Sequence, residues 1–144
     1  MQLRPLEKTD RAQWDALWHG YLSFYETALP PETYDATFAA LFSENDMCGL
    51  VADDAGRLLG LAHVVFHAHC WRPEGVTYLQ DLFTLPEARG TGVGRALIEA
   101  VYRLADARGR PAVYWTTQHF NTEARQLYDR VGQLTPFIKY SRPT

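Results

Sequence analysis

Three glycines and two arginines lie close together in the run Arg89-Gly90-Thr91-Gly92-Val93-Gly94-Arg95. A strand-like apolar run precedes this segment, and a helical pattern of apolar residues follows it. The first N–H groups of a helix are unpaired and its dipole is positive there, so such a turn can bind a phosphate or a diphosphate. Glycines let the backbone approach the ligand, while Arg89 and Arg95 add positive charge. The alternative is a glycine turn that only joins a strand to a helix.

The same run argues against two other phosphate ligands. The GxGxxG pattern of dinucleotide-binding proteins would need a glycine where Arg95 stands. A P-loop would need Gly-Lys followed by Ser or Thr, which the run lacks. We therefore do not expect NAD or ATP at this turn.

The spacing of Arg89, Gly92 and Gly94 resembles the Arg/Gln-x-x-Gly-x-Gly/Ala signature of the GNAT superfamily of N-acetyltransferases. The run from Asn121 to Tyr128 is similar to the Asn-x-x-Ala-x-x-Leu/Phe-Tyr pattern of that family's next helix. The runs Tyr-Leu-Gln-Asp-Leu-Phe, His-Phe-Asn and Thr-Pro-Phe-Ile-Lys-Tyr resemble its yeast histone and polyamine acetyltransferase branch. The resemblance implies an enzyme that transfers the acetyl group of acetyl-CoA directly to a primary amine in a ternary complex.

The resemblance also implies how acetyl-CoA binds. Its diphosphate would lie on the glycine turn, and its pantetheine arm would run along the preceding strand, with backbone hydrogen bonds from Leu82 and Thr84. The implied cofactor-binding residues are Leu82, Phe83, Thr84, Arg89, Gly90, Thr91, Gly92, Val93, Gly94, Arg95, Asn121 and Tyr128. For Asn121, a plain helix N-cap is the alternative role.

Acyl transfer needs an acid for the departing thiolate and a base for the amine. Tyr128 stands where the family places the residue that gives a proton to the departing thiolate, so we expect it to be the general acid. The alternative role is packing in the core, because Tyr128 shares a helical stripe with apolar residues. Asp81 is the first candidate for the base. Glu26, His119 and a water chain are alternatives, and Tyr78 stands where some histone-directed relatives have a Glu.

The acceptor is expected to bind near Tyr25, Glu26 and His119. Aromatic side chains of the first helix could hold a cation by their π-faces or could simply pack in the core. A small amine, a polyamine or a protein lysine fits this chemistry, with polyamines first, and a neutral hydroxyl acceptor fits less well. His63, His67 and His69 alternate along one strand, which we interpret as polar lining rather than a metal site, and no metal is expected.

The elements that must position these residues follow from periodicity and turn signals. The order is predicted as βααββ followed by βαβαβ, with Asp10 and Gln13 at capping-box spacing before the first helix and a turn at Asn45-Asp46 after the second. The predicted strands cover residues 2–6, 49–52, 58–66, 77–85, 113–117 and 133–140, and a hairpin turn covers 53–56. The pattern predicts an α/β (α+β) fold of the GNAT type, with one central, mixed, largely antiparallel twisted sheet flanked by helices.

Length and charge bound the remaining possibilities. A chain of 144 residues predicts a single domain, residues 1–144, and its formal net charge of −3 argues against nucleic-acid binding. Cys48 and Cys70 are expected to be reduced, without a disulfide or zinc role. We expect a cytoplasmic protein without a membrane span, and a homodimer. The alternative function is a non-catalytic acyl-CoA-binding sensor or interaction module with the same fold.

Overall fold

The computed structural model describes residues 1–43 and 46–144. Five strands form one mixed sheet in chain order, namely β1 (Gln2–Pro5), β2 (Met47–Asp54), β3 (Arg57–His69), β4 (Arg72–Thr84) and β5 (Val113–Tyr114). The helices are α1 (Arg11–Phe24), α2 (Pro31–Ala40), α3 (Val93–Ala107) and α4 (Thr122–Val131). All neighbouring strands are antiparallel except β4 and β5, which are parallel and joined through α3. The predicted fold class is confirmed.

One face of the sheet is covered by α1 and α2. The buried face of α1 carries Trp14, Leu17, Trp18 and Leu22, whose spacing of three and four residues places them on one side of a helix. They pack with Phe38 and with buried residues of β2, β3 and β4. This packing fixes α1 next to the strand that carries Asp81.

The other face of the sheet is covered by α3 and α4. Val93, Leu97, Ile98 and Val101 of α3 are buried against the sheet. Helix α4 has no fully buried residue, but its Leu127, Tyr128 and Val131 pack on the same cluster. The predicted helix after the glycine turn and the predicted helix after Asn121 are both present.

The predicted hairpin forms with a tighter turn than expected. Strands β2 and β3 pair up to Asp54 and Arg57, so only Ala55 and Gly56 form the turn. Their φ angles of 51° and 94° are both positive, as a two-residue hairpin turn of the primed type requires. The predicted turn at Asn45-Asp46 lies partly outside the described residues.

Three local predictions are wrong. Gln13 does not form a capping box with Asp10: its side chain instead bonds the backbone of Gly56 and Leu58, and Asp10 accepts hydrogen bonds from Arg4 and from the Glu7 N–H. Strand β5 is two residues long rather than the predicted 113–117, because its pairing with β4 ends at Tyr114.

The third is the terminal strand predicted at residues 133–140. The structure has no strand after α4, and the apolar side chains there are 73% to 89% exposed, namely Leu134, Phe137, Ile138 and Tyr140. A strand needs a neighbour to satisfy its backbone, and residues 133–140 pair with no strand of the described chain.

Candidate active site

A cleft opens where β4 and β5 separate. The two strands pair only at Thr77 with Val113 and at Tyr78 with Tyr114, and beyond this point the chains diverge. A narrow cavity of about 20 Å³ lies between them, lined by Leu79, Gln80 and Leu82 of β4, by Trp115 and Thr116 beyond β5, and by Tyr21, Tyr25 and Tyr128. The β4 edge that faces this gap has no strand partner among the described residues after Tyr78, so its backbone is free to bond an extended ligand.

A β-bulge at Gln80 shapes the same stretch of β4. Val64 of β3 pairs with Leu79 whereas His63 pairs with Asp81, which leaves Gln80 as the extra residue. The bulge shifts the alternation of side chains, so Leu79 and Leu82 both pack toward α3 while Phe83 packs toward α1. Asp81 therefore faces the α1 side, next to the cleft.

A wider cavity of about 380 Å³ adjoins the narrow one. It shares Tyr21, Tyr25, Gln80 and Thr116 with the narrow cavity and adds Tyr78, Asp81, Thr117, Gln118 and Lys139. This volume lies in the range of small-molecule sites. Asp81 and Lys139 are the ionic side chains of its lining, so the cavity offers one carboxylate and one ammonium group.

Tyr128 lies on α4 and lines the narrow cavity. Its ring packs edge-on against Trp115, with 5.6 Å between ring centroids. Burial, followed by the nearby Tyr25, raises the pKa of Tyr128 to about 12. The phenol therefore keeps its proton at all neutral and mildly alkaline pH values, as a proton donor must.

Asp81 is held by a partner from the neighbouring strand. His63 Nδ1 lies 2.8 Å from Asp81 Oδ2, and the Asp81 side chain is 16% exposed toward the wider cavity. Tyr21 lies beside the same carboxylate: burial and the charge of Asp81 raise the pKa of Tyr21 well above its ordinary value. The structure thus brings Tyr128 and Asp81 to adjoining parts of one cleft.

The glycine turn has the geometry expected of an anion site. Gly90 and Gly92 have φ angles of 77° and 91°, which glycine adopts without strain, and no atom beyond the adjacent residues lies within 4 Å of where their Cβ atoms would stand. The first hydrogen bond of α3 runs from the Ala96 N–H to the Gly92 carbonyl at 3.0 Å. The N–H groups of residues 93–95 precede it and have no intrahelical acceptor. These features suit the diphosphate of acetyl-CoA.

The two arginines of this turn differ in their surroundings. Arg89 donates to the Thr84 carbonyl at 3.1 Å and lies over the rings of Phe24 and Phe83. Arg95 pairs with Glu99 one turn later on α3, at 2.9 Å. Arg89 is therefore tied to the end of β4, while the charge of Arg95 is shared with a carboxylate.

Other implied cofactor-binding residues are in three different surroundings. The side chains of Val93 and Phe83 are buried in the core, so only their backbone could contact a ligand. Asn121 stands at the N-cap of α4 without a capping bond; its amide instead donates to Oγ1 of Thr117, a residue that lines the wider cavity, at 3.4 Å. The added Cβ of an alanine at Gly94 would lie 3.3 Å from Leu127, so this glycine lets α3 and α4 approach each other.

Of the residues predicted to bind the acceptor, only Tyr25 lines the cleft. Glu26 and His119 are exposed and belong to neither cavity lining, so their roles as alternatives for the base stay predictions. Tyr78, where some relatives have a Glu, lines the wider cavity and stacks on Tyr114 at 4.6 Å.

The three alternating histidines are in different surroundings. His63 is buried, whereas His67 lies at the surface with its Nε2 2.7 Å from Tyr114 Oη, and His69 bonds the backbone of Trp71. Within residues 1–43 and 46–144, no three His, Cys, Asp or Glu side chains are grouped to hold a metal ion. Both cysteines are free thiols, Cys48 half-buried and Cys70 exposed.

Sequence reasoning missed several residues of the cleft. Gln80 is part of it because of the bulge, and Lys139 because the C-terminal segment passes the cavity; neither has a local signal. The spacing of Trp14 indicates only a place on the apolar face of the first helix, yet its indole Nε1–H donates to His63 Nε2 at 2.9 Å. Trp14 therefore belongs to the hydrogen-bonded surroundings of Asp81.

No helix of the described chain is long and apolar enough to cross a lipid bilayer.

Comparisons with known proteins agree with this geometry. Residues 14–133 match the model of the acetyltransferase (GNAT) family. The D-amino-acid N-acetyltransferase HPA3 of Saccharomyces cerevisiae is 40% identical over 143 residues, which cover 97% of this chain and 89% of the relative. An uncharacterized N-acetyltransferase, YhfO of Bacillus subtilis, is 28% identical over 142 residues, or 97% and 95% of the two chains.

A solved structure shares the fold over the whole chain. AAC(6')-Iy in complex with a bisubstrate analogue, CoA-S-monomethyl-acetylneamine, superposes with a TM-score of 0.87 at 20% identity, covering 99% of this chain and 97% of that one.

Proposed function

The chain belongs to the GNAT acetyltransferase family and is an acetyl-CoA-dependent N-acetyltransferase, and we propose that its acceptor is the amino group of a free amino acid. One observation carries the proposal: the wider cavity beside Tyr128 presents one carboxylate, Asp81, and one ammonium group, Lys139. An amino acid zwitterion carries the two complementary charges. The yeast relative is named for D-amino acids, so these are the first acceptors to test.

The donor is proposed to bind along the gap between β4 and β5. The diphosphate of acetyl-CoA lies on the N–H groups of residues 90–95, and the arm bonds the free edge of β4 at residues 82–84, as the sequence resemblance implies. Arg89 of the turn bonds the Thr84 carbonyl at the end of β4, and Leu82 and Tyr128 both line the narrow cavity, so a ligand that runs along β4 from the turn would bring its thioester toward Tyr128. Direct transfer then needs no covalent enzyme intermediate.

Each proton and bond in the transfer has an assigned group. Asp81 accepts a proton from the substrate ammonium, and the neutral amine nitrogen attacks the thioester carbonyl carbon. The tetrahedral intermediate collapses by breaking its C–S bond, and the departing thiolate takes the phenol proton of Tyr128. The nitrogen then gives its remaining extra proton to the tyrosinate, and Asp81 releases its proton to solvent. The products are the acetylated amine, CoA and one proton.

The test is an acceptor panel that separates amine from carboxylate. D-leucine, L-leucine and isoamylamine share one carbon skeleton, but the last has no carboxylate; spermidine, a lysine peptide and a diol complete the panel. CoA release should be fastest with a leucine enantiomer. Fastest turnover of spermidine or of the peptide would instead support the predicted polyamine or lysine acceptor of the histone and polyamine branch, and turnover of the diol alone would indicate O-acetylation.

Lys139 supplies a matched variant for the same panel. Lys139→Ala should raise the KM of D-leucine by about tenfold, the loss expected for a charge-assisted hydrogen bond, and should leave the KM of isoamylamine unchanged. An equal change for both acceptors would contradict a carboxylate contact at Lys139. The KM of acetyl-CoA serves as the internal control.

We further propose that residues 1–144 form one domain that assembles as a homodimer in the cytoplasm. The support for the dimer is the exposed apolar C-terminal segment, which leaves Phe137 and Ile138 at 80% and 78% exposure. Light scattering should give a dimer mass for the wild type and a monomer mass for a Phe137→Ser, Ile138→Ser double variant. Cell fractionation tests the compartment.

A further inference from the structure

A chain of buried hydrogen bonds ends at the carboxylate of the cleft. Trp14 on α1 is fully buried, and its Nε1–H donates to Nε2 of His63 at 2.9 Å. The other ring nitrogen of His63, Nδ1, lies 2.8 Å from Asp81 Oδ2. His63 itself is only 3% exposed, whereas Asp81 reaches the cavity lining. The chain therefore connects the core under α1 with the proposed acceptor site.

The direction of these hydrogen bonds follows from the donor groups. An indole nitrogen can only donate, so Nε2 of His63 must accept and carries no proton. A neutral imidazole then has its proton on Nδ1, where it donates to Asp81 Oδ2. The histidine is thus restricted to one tautomer. This bond occupies Oδ2 of Asp81, and the Tyr21 hydroxyl is a second hydrogen-bond donor to the same carboxylate, which lies at the lining of the wider cavity.

The fold holds every member of the chain in place. His63 and Asp81 are direct partners in the β3–β4 ladder, and the bulge at Gln80 sets this register. The ring of His63 packs against Trp14 and Trp18, with centroids 5.9 and 6.1 Å away. Rotation of the imidazole would break two hydrogen bonds in a dry environment, which is costly.

We propose that His63 and Trp14 are positioning residues for Asp81: Trp14 keeps Nε2 of His63 without a proton, Nδ1–H donates to Asp81, and His63 thereby orients the carboxylate toward the acceptor amine. This inference rests on the proposed role of Asp81 as proton acceptor. Neither His63 nor Trp14 touches the substrate in this arrangement. A histidine that served packing alone would have no such dependence on which nitrogen holds the proton.

The first test uses two tryptophans on the same helix. Trp14→Phe removes the N–H that bonds His63, whereas the neighbouring Trp18 has a buried Nε1–H without a hydrogen-bond partner among the described residues, so Trp18→Phe is the matched control. Long-range ¹H–¹⁵N spectra of the imidazole should show Nε2 without a proton in the wild type and in Trp18→Phe, and a population with a proton on Nε2 in Trp14→Phe. The same spectrum for both variants would overturn the inference.

The second test separates the two hydrogen bonds of His63. In His63→Asn the amide nitrogen stands near the position of Nδ1 and can still donate to Asp81, while in His63→Gln the amide oxygen stands near Nε2 and can still accept from Trp14. We expect His63→Gln to lower kcat by about 10- to 100-fold and His63→Asn to lower it by less than about fivefold, with the KM of acetyl-CoA unchanged in both.

Asp81→Asn distinguishes failure of this inference from failure of the proposed function. If Asp81→Asn keeps the wild-type kcat, Asp81 is not the proton acceptor, and the proposed function of this carboxylate fails together with the positioning role of His63. If Asp81→Asn loses kcat but His63→Gln does not, Asp81 stands and the positioning role is wrong. A loss of kcat that follows only the melting temperatures of the two His63 variants also overturns it.

Discussion

Replacing Tyr128 by Phe removes one hydroxyl group from the narrow cavity and keeps the ring. Because the ring packs on Trp115, the fold and the affinity for acetyl-CoA should change little. The hydroxyl is the proposed proton donor to the departing thiolate, so its loss should appear in kcat. The two effects can be measured separately in one variant.

The size of the effect follows from the chemistry and the burial of this phenol. A positioned general acid contributes about 10²- to 10⁴-fold to a rate, which corresponds to about 3 to 5 kcal/mol in activation free energy. Burial raises the pKa of Tyr128 to about 12, so the proton is present at every pH at which the assay is run. The factor by which Tyr128→Phe lowers kcat should therefore be constant from pH 7 to pH 9.

The assay is single-turnover CoA release with saturating acceptor, in which chemistry limits the observed rate. Tyr102→Phe is the matched control, because Tyr102 donates to the Val131 carbonyl at 2.7 Å and lies outside both cavity linings. This control should lose about 1 kcal/mol of unfolding free energy and keep its kcat. Wild-type kcat in Tyr128→Phe would refute the general-acid role.

Three further predictions concern the anion site and the stability of the fold. Gly92→Asp should abolish CoA binding in calorimetric titration, because an aspartate is strained at the φ of 91° and its carboxylate repels phosphate. Gly109→Asp is the control: it places an aspartate at a φ of 67° beyond the other end of α3, and CoA binding should be kept. Asp10→Asn should lower the free energy of unfolding by about 1 to 3 kcal/mol at pH 7, because it removes the ion pair with Arg4. The hydrogen bond from Arg4 lowers the pKa of Asp10, so the ion pair stabilises the fold above about pH 4. The difference in stability between variant and wild type should therefore disappear as the pH falls through the folded pKa of Asp10. Raising the pH from 10 to 12 should lower the free energy of unfolding in urea by about 2 kcal/mol through Tyr128 alone, because its folded pKa of about 12 lies above that of an unfolded tyrosine. Tyr128→Phe should reduce this loss, and an unchanged loss in that variant would contradict the prediction.

Much of the fold was predictable because its signals are local. The stripe from Trp14 to Leu22 and the stripe that begins at Val93 each repeat within one helix, so α1 and α3 could be located from spacing alone. The same reasoning wrongly predicted a strand for the segment after α4. An apolar run becomes a strand only where it pairs with another strand, and residues 133–140 pair with no strand of the described chain.

The sequence by itself determined the glycine turn, because positive φ at Gly92 and unpaired N–H groups at a helix start depend on residues next to each other in the chain. Only the tertiary structure decided the surroundings of Asp81. Trp14 is 49 residues from His63, and His63 is 18 residues from Asp81, so their hydrogen bonds exist only after α1, β3 and β4 pack together. A one-residue bulge at Gln80 sets which side of the sheet the carboxylate faces, and such a shift in pairing leaves no pattern in the sequence.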